Sequence, residues 1–268
     1  MSTWARTRAA PCPRWGPARY AAPADLPGGA GRARLPGMRY FLLALLLVPA
    51  ASPAATRTVS VGSFERIRID GPFEVRVETG RSPGATISGD GRATEEVDVR
   101  VTGATLIVGK GLNGWGEQAG QKKGAVLVTL TTPSLVGATV IGGGRVTITG
   151  MKAMRVDVSV SGAGSLSLAK ADTDQLNATV IGTGQMSLGG RAARARLATS
   201  GPGVIDASTL DVGDLIVTVD GVGETKAKAR GSAQVTNAGL GSVTVTGPAK
   251  CVVKAPAGGP VICGAASP

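Results

Sequence analysis

Alternating apolar and polar residues form short segments throughout the second half of this chain. In one segment, Val156, Val158 and Val160 alternate with Asp157 and Ser159. A two-residue period directs one set of side chains inward and the other set to solvent, as in a half-buried β-strand. The pattern therefore predicts a series of short strands that each bury one face.

Pairs of glycines separated by one residue interrupt this alternation at a nearly constant interval. The first glycines of successive pairs are 20, 20, 19, 20 and 18 residues apart. A fixed period of about twenty residues indicates a solenoid, in which each repeat stacks on the next. The pairs are Gly142 and Gly144, Gly162 and Gly164, Gly182 and Gly184, Gly201 and Gly203, Gly221 and Gly223, and Gly239 and Gly241.

The predicted repeat consists of a strand, a Gly-x-Gly corner, a second strand and a polar return, for which residues 169–175 are typical. Glycine suits such corners because it adopts positive φ and lets stacked backbones approach closely. We therefore expect an all-β fold: a single-stranded parallel β-helix, right-handed by analogy, with about 20 residues per coil and less regular N-terminal coils. A leucine-rich repeat fits less well, because no Leu-x-x-Leu-x-Leu motif recurs.

The glycine corners do not extend to a nucleotide-binding motif. A G-x-G-x-x-G motif requires glycine at its sixth position. That position is occupied by Thr147, Ser167, Ser187, Asp206, Lys226 and Thr244 in the six corners. We interpret the glycines as structural turns and expect no cofactor. The chain contains no His, and we expect no metal site.

The N-terminal residues have the composition of a leader. Residues 1–37 are rich in Arg, Pro, Gly and Ala without a period, and we interpret them as a mis-called or disordered extension. A short charged start, the apolar run 41–48 and a small-residue region then predict a secretory signal at 38–55, cleaved near Ala54 or Ala55. The alternative is a disordered arm with an internal anchor. The predicted location is the periplasm, the cell envelope or the exterior of a bacterium, with no membrane span in the mature chain.

The positive charge of the chain is concentrated in this leader. The net charge is +11, but residues 1–55 hold seven Arg and one Asp, which leaves 22 basic and 17 acidic residues, or +5. The remaining aromatic residues are Phe64, Phe73 and Trp115. Because nucleic-acid binding uses basic patches with stacking aromatics, we expect no nucleic-acid partner.

The mature chain divides into three parts. Residues 56–133 predict an irregular N-terminal β part, in which residues 85–91 resemble a further corner and residues 97–108 a hairpin. Residues 134–250 form the regular repeats, and residues 251–268 a C-terminal cap and tail.

Two cysteines flank the turn in this cap. In an exported protein, Cys251 and Cys263 most simply form a disulfide that clamps the end of the solenoid. A free redox pair is the alternative, although the spacing is not C-x-x-C.

Trp115 is the one candidate binding residue. It lies in a glycine-rich loop at residues 109–124, and exposed loop aromatics can anchor partners. The alternative is that its ring folds back over the cap of the solenoid.

Three functions fit these features. The leading one is an exported, non-enzymatic envelope or surface protein that presents a rigid β face to an envelope protein or glycan, and the other two are alternatives. A polysaccharide-acting enzyme needs neighbouring carboxylates, for which Asp206, Asp211, Asp214 and Asp220 are the candidates. A structural subunit associates with itself end to end, and its oligomeric state is open.

The layout also resembles a known family. The stretch 64–75, Phe-Glu-Arg-Ile-Arg-Ile-Asp-Gly-Pro-Phe-Glu-Val, the stretch 128–135 and the serial Val-x-Gly-x-Gly corners are similar to the bacterial putative auto-transporter adhesin head, or GIN, domain. The resemblance covers roughly residues 57–250. It implies an exported β-helical envelope protein with an adhesin-like role, and it carries over no catalytic residues.

Overall fold

The computed structural model describes residues 55–89, 91–111 and 126–265, which are almost entirely β-structure. Their strands belong to one continuous sheet, mostly parallel, so the predicted all-β solenoid is confirmed. The elements are β1 (Ala55–Val59), β2 (Arg66–Asp70), β3 (Glu74–Thr79), β4 (Gly84–Gly89), α1 (Gly91–Glu95), β5 (Val97–Thr102), β6 (Thr105–Lys110), β7 (Leu127–Thr132), β8 (Gly137–Gly142), β9 (Arg145–Ile148), β10 (Met151–Gly162), β11 (Ser165–Ile181), β12 (Gln185–Ser200), β13 (Val204–Asp220), β14 (Glu224–Asn237), β15 (Ser242–Thr246), β16 (Lys250–Lys254) and β17 (Val261–Ala265).

Two sides of each regular coil correspond to the strands predicted from the alternation. On the first side, residues 156–160 of β10 pair in parallel with residues 176–180 of β11. On the second side, residues 165–168 of β11 pair in parallel with residues 185–188 of β12. The inward side chains of these segments are fully buried, which explains why Val, Leu and Met recur there.

The third side was predicted as a polar return and is instead a paired strand. Residues 151–153 pair with residues 171–173, which pair in turn with residues 190–192. Along β11 the alternation of buried and exposed residues resets at two exposed pairs, residues 169–170 and 174–175. These pairs are the corners that bound the third side, and the backbone remains extended through both of them.

The glycine pairs form the corner between the first and second sides. The first glycine of five pairs has positive φ, from +85° at Gly142 to +127° at Gly221. The second glycine packs against the coil beneath: a Cβ on Gly164 would lie 2.7 Å from the carbonyl oxygen of Gly144. The last corner differs, because Asn237 is buried there and its Nδ2 donates a hydrogen bond to the Gly241 carbonyl oxygen at 2.6 Å.

The N-terminal strands are inserted into the stack out of chain order. On the first side, β2 lies between β6 and β8, and on the second side β3 lies between β7 and β9. The earliest coil of the fold is therefore an inner coil, covered on both sides by segments that come later in the chain.

The N-terminal end of the stack is closed by antiparallel strands. β5 pairs with β6 as the predicted hairpin, and β4 pairs with both β7 and β1. The corner predicted at residues 85–91 is wrong: most of that segment is β4, and α1 follows it. The alternating apolar and polar residues of that segment belong to a strand that runs antiparallel to both of its neighbours.

The C-terminal end is a partial coil closed by the predicted disulfide. Cys251 on β16 lies opposite the buried Ala233, and Cys263 on β17 lies opposite the buried Val245. Both cysteines thus point into the solenoid, and their bond crosses its interior, with the Cα atoms 6.3 Å apart. Within the described ranges, no helix is long and apolar enough to cross a membrane.

Candidate functional site

A row of alternating charges runs along the outer surface of the third side. The row occupies one outward position on five successive coils, so the strand register stacks its members directly above one another. We call this row the charge ladder. Its members are Lys152, Asp172, Arg191, Asp211 and Lys228.

The charges of the ladder are paired between neighbouring coils. Asp172 lies between two cations, with one oxygen 2.8 Å from Arg191 Nε and the other 3.8 Å from Lys152 Nζ. Asp211 Oδ1 lies 3.0 Å from Arg230 Nε, close enough for an ion pair but without hydrogen-bond geometry. Because exposed ion pairs contribute about 0–1 kcal/mol each, the ladder shapes the surface more than it stabilises the fold.

One of the two carboxylates of the ladder, Asp172, is held in its ionised form. The hydrogen bond from Arg191 lowers the pKa of Asp172 below its usual value, against a smaller opposing effect of desolvation. The same hydrogen bond raises the pKa of Arg191. Asp172 and Arg191 therefore present opposite charges side by side at neutral pH.

A shallow groove of about 670 Å³ lies along the ladder. Three members of the ladder, Lys152, Asp172 and Arg191, line it together with small side chains, including Ala153 and Ala192. Met154 rises at one edge with 81% of its surface exposed. The lining residues are Lys152, Ala153, Met154, Asp172, Thr173, Asp174, Arg191, Ala192, Ala193 and Arg230.

The four carboxylates considered for an enzyme are distributed over the coil. Asp206 lies on the second side, Asp211 on the third, Asp214 at the start of the first and Asp220 at its end. Asp214 accepts a hydrogen bond from Ser232 Oγ at 2.7 Å, and Asp211 faces Arg230. Their strand positions therefore spread them over all three sides of the coil, whereas acid–base hydrolysis of a glycosidic bond uses two carboxyl groups that face each other.

The pKa of Asp206 is shifted in the direction opposite to the one that a general acid needs. Ser208 donates to its Oδ1 from the hydroxyl at 2.6 Å and from the backbone N–H at 3.0 Å. These hydrogen bonds, with a smaller contribution from Lys226, lower the pKa of Asp206. A general acid near neutral pH needs a raised pKa.

The remaining sequence candidates divide into described and undescribed residues. Trp115 lies outside the described residues, and its binding role stays a prediction. The glycines lie at corners and carry no polar side chain toward a ligand. Among the residues that the structure places, no group of three or more Cys, Asp or Glu is arranged to hold a metal ion.

The ladder was missed in the sequence although its signal was present. Lys152, Asp172, Arg191 and Asp211 each stand ten residues before the first glycine of the pair that follows them, and the sign of their charge alternates. Lys228 stands eleven residues before Gly239. The sequence pattern predicts a polar return on the third side, and a loop has no strand register by which its residues could be aligned.

A second missed feature is the exposed apolar surface of the last coil, where Val252, Val253 and Ile262 are 58%, 45% and 58% exposed.

Comparison with known proteins places the chain among bacterial adhesin-like domains. The model of the family described as putative auto-transporter adhesin, head GIN domain, matches residues 63–249. No curated protein matches the chain.

Solved structures share the fold at low identity. A putative adhesin from Bacteroides fragilis superposes with a TM-score of 0.70 at 23% identity, covering 80% of this chain and 97% of its own. A putative adhesin from Parabacteroides distasonis gives 0.63 at 17%, covering 79% and 97%. A putative lipid binding protein from the same species gives 0.61 at 15%, covering 81% and 96%. At these identities the likeness shows the fold alone.

Proposed function

Because this chain belongs to the bacterial family of putative auto-transporter adhesin heads with a GIN domain, we propose that it is an exported, non-enzymatic envelope protein that binds a partner through a rigid β-solenoid face. The family and the fold support an adhesin-like role at the surface. The binding face, the partner class and the absence of catalysis are the proposed part.

The observation that carries this proposal is the charge ladder with its groove. Solenoids present extended surfaces whose side chains are held at fixed spacing by the strand ladder. Here that surface offers cationic donors and anionic acceptors on successive coils, at the strand spacing of about 4.8 Å. Such a surface is complementary to an envelope glycan, or to a polar protein surface, that carries its own hydroxyl and charged groups.

The separation of the carboxylates supports a binding role over an enzymatic one. Asp211 faces a cation, whereas Asp206 and Asp214 each accept a hydrogen bond from a serine. The predicted signal at residues 38–55 agrees with an envelope location, in the periplasm or at the cell surface. One solved neighbour is a putative lipid binding protein, so lipid is a further partner class for the test.

The experiment is a fractionated pull-down with a matched pair of variants. The mature chain from Thr56 is immobilised and exposed to envelope protein, glycan and lipid fractions at low and high salt. One fraction is expected to be retained, and Arg191→Glu is expected to lower its retention about tenfold, because the substitution removes a charged hydrogen-bond donor and reverses the charge in the groove.

Thr179→Glu serves as the control, because this residue lies on the outward surface of the first side, away from the groove. Equal retention of both variants would remove the charge ladder as the binding face. Retention of no fraction would contradict the binding role, and cleavage of a polysaccharide by the mature chain would favour the enzyme alternative.

A further inference from the structure

The last coil of the solenoid ends in two strands that each have one neighbour. In the described part of the chain, β16 pairs with β14 and β17 pairs with β15, and no strand lies on their other edges. An exposed edge presents a row of unpaired N–H and C=O groups, which is a template for a further strand. The disulfide holds both edges in place without covering them.

Exposed apolar side chains lie on both faces of this coil. Val253 occupies an inward position and is 45% exposed, whereas Val235, its counterpart one coil earlier, is fully buried. Val252 occupies an outward position and is 58% exposed. Apolar side chains on both faces are typical of a strand that is covered on both faces.

The outward row on the second side shows the same change. Ile262 is 58% exposed, at a position that is polar on every preceding regular coil. The residues of that row are Thr147, Ser167, Ser187, Asp206, Lys226 and Thr244. The switch from hydroxyl and charged groups to isoleucine is confined to the terminal coil.

Two lysines give this edge a charge preference. Lys250 and Lys254 flank the apolar residues of β16 and lie opposite Ser232 and Thr236, which carry no charge. Opposite charges face each other on neighbouring strands elsewhere in the fold. Lys152 lies opposite Asp172 on the third side, and Arg194 lies opposite Asp214 in the row that leads to Lys250. Extending this arrangement by one strand places carboxylates beside Lys250 and Lys254.

We propose that the β16–β17 edge accepts an extended segment of a partner protein, which adds a strand to the solenoid. The segment carries two carboxylates four residues apart, opposite Lys250 and Lys254, with apolar residues between them. Main-chain hydrogen bonds hold such a strand, and alternate side chains select it.

A second copy of the chain fits this edge less well. Antiparallel pairing of two β16 strands sets Lys250 against Lys254, and like charges directly opposite are unfavourable. The proposal concerns a surface separate from the third-side groove, so it goes beyond the proposed function and does not depend on it.

The test uses a fluorescein-labelled peptide with the core Glu-Val-Val-Val-Glu between Ser-Gly linkers, titrated with the mature chain and followed by anisotropy. Saturable binding is expected. Reversal of both lysines, Lys250→Glu with Lys254→Glu, is expected to weaken it at least about tenfold and to create binding of the matching peptide with lysines in place of glutamates.

The matched control is the double variant Lys226→Glu and Lys228→Glu on β14, an inner strand with neighbours on both sides. It should bind the acidic peptide as the wild type does. Arg191→Glu should also leave peptide binding unchanged, which separates this result from that of the pull-down.

Hydrogen exchange supplies the position of the bound segment. Peptide binding is expected to slow exchange of the amides of residues 250–254 and 261–265. Absence of saturable binding, equal binding by the charge-reversed variant, or protection confined to other coils would overturn the proposal. Concentration-dependent dimerisation that is abolished by Ile262→Glu and kept by Thr244→Glu would overturn it in favour of a second copy.

Discussion

At the scale of single residues, the two glycines of a corner meet different requirements. Gly221 needs positive φ, which a β-carbon disfavours, and a Cβ there would also lie 2.8 Å from the carbonyl oxygen of Gly201. Gly223 needs the space itself, because a Cβ there would lie 2.4 Å from the carbonyl oxygen of Gly203 and 2.8 Å from Thr199 Cγ2. Glycine therefore recurs at both positions for two reasons, the backbone angle and the lack of space. The regular spacing of the glycines in the sequence does not distinguish these reasons.

A matched pair of alanine substitutions tests this division. Gly223→Ala is expected to lower the free energy of unfolding by about 1–3 kcal/mol, since the methyl group enters occupied space beside rigid backbone. Gly143→Ala is the control: it also lies in a corner, but its Cβ would meet nothing within 4 Å. Urea unfolding of both variants measures the difference, and equal midpoints would contradict the close-packing account.

At the scale of elements, the alternation predicted the first two sides of the coil and failed on the third. The segment around Asp172 has two consecutive exposed residues at each end, Ala169 with Lys170 and Asp174 with Gln175, a pattern that also suits a loop. Only the hydrogen-bonded register with neighbouring coils shows that it is a strand. Since that register is a property of the stack, inspection of one repeat could not reveal the charge ladder.

The terminal disulfide belongs to this scale, because it ties two strands of one coil together. Replacement of both Cys251 and Cys263 by serine is expected to cost about 3 kcal/mol, the order of magnitude for a crosslink that closes a short loop. Hydrogen exchange should accelerate in residues 250–265 and stay unchanged in residues 156–220. Uniform acceleration along the chain would instead mean that the cap supports the whole solenoid.

At the scale of the whole molecule, the order of coils departs from the order of the chain. The β2–β3 coil is covered on one side by β6 and β7 and on the other by β8 and β9. Strand patterns indicate which face of a segment is buried, but they carry no information on which segments become neighbours. The sequence therefore predicted the N-terminal β part without its position in the stack.

Two truncations distinguish an inner coil from an outer one. A chain that starts at residue 81 lacks β2 and β3, so β6 and β8 lose their common neighbour; it is expected to lose cooperative unfolding. A chain that ends at residue 249 lacks β16 and β17 and is expected to keep the β-sheet circular dichroism spectrum with a lower melting temperature. Retained cooperativity in the first chain would contradict the inserted topology.

The inserted coil also has a consequence in time. During synthesis, Arg66–Asp70 and Glu74–Thr79 are among the first strands to appear, yet their partners β8 and β9 follow only at residues 137–148. The strands β2 and β3 therefore remain without these partners until the later residues have been synthesised. Pairing between strands that are far apart in the chain is slow. Folding should therefore begin in the regular coils and end when β2 and β3 pair with their later neighbours.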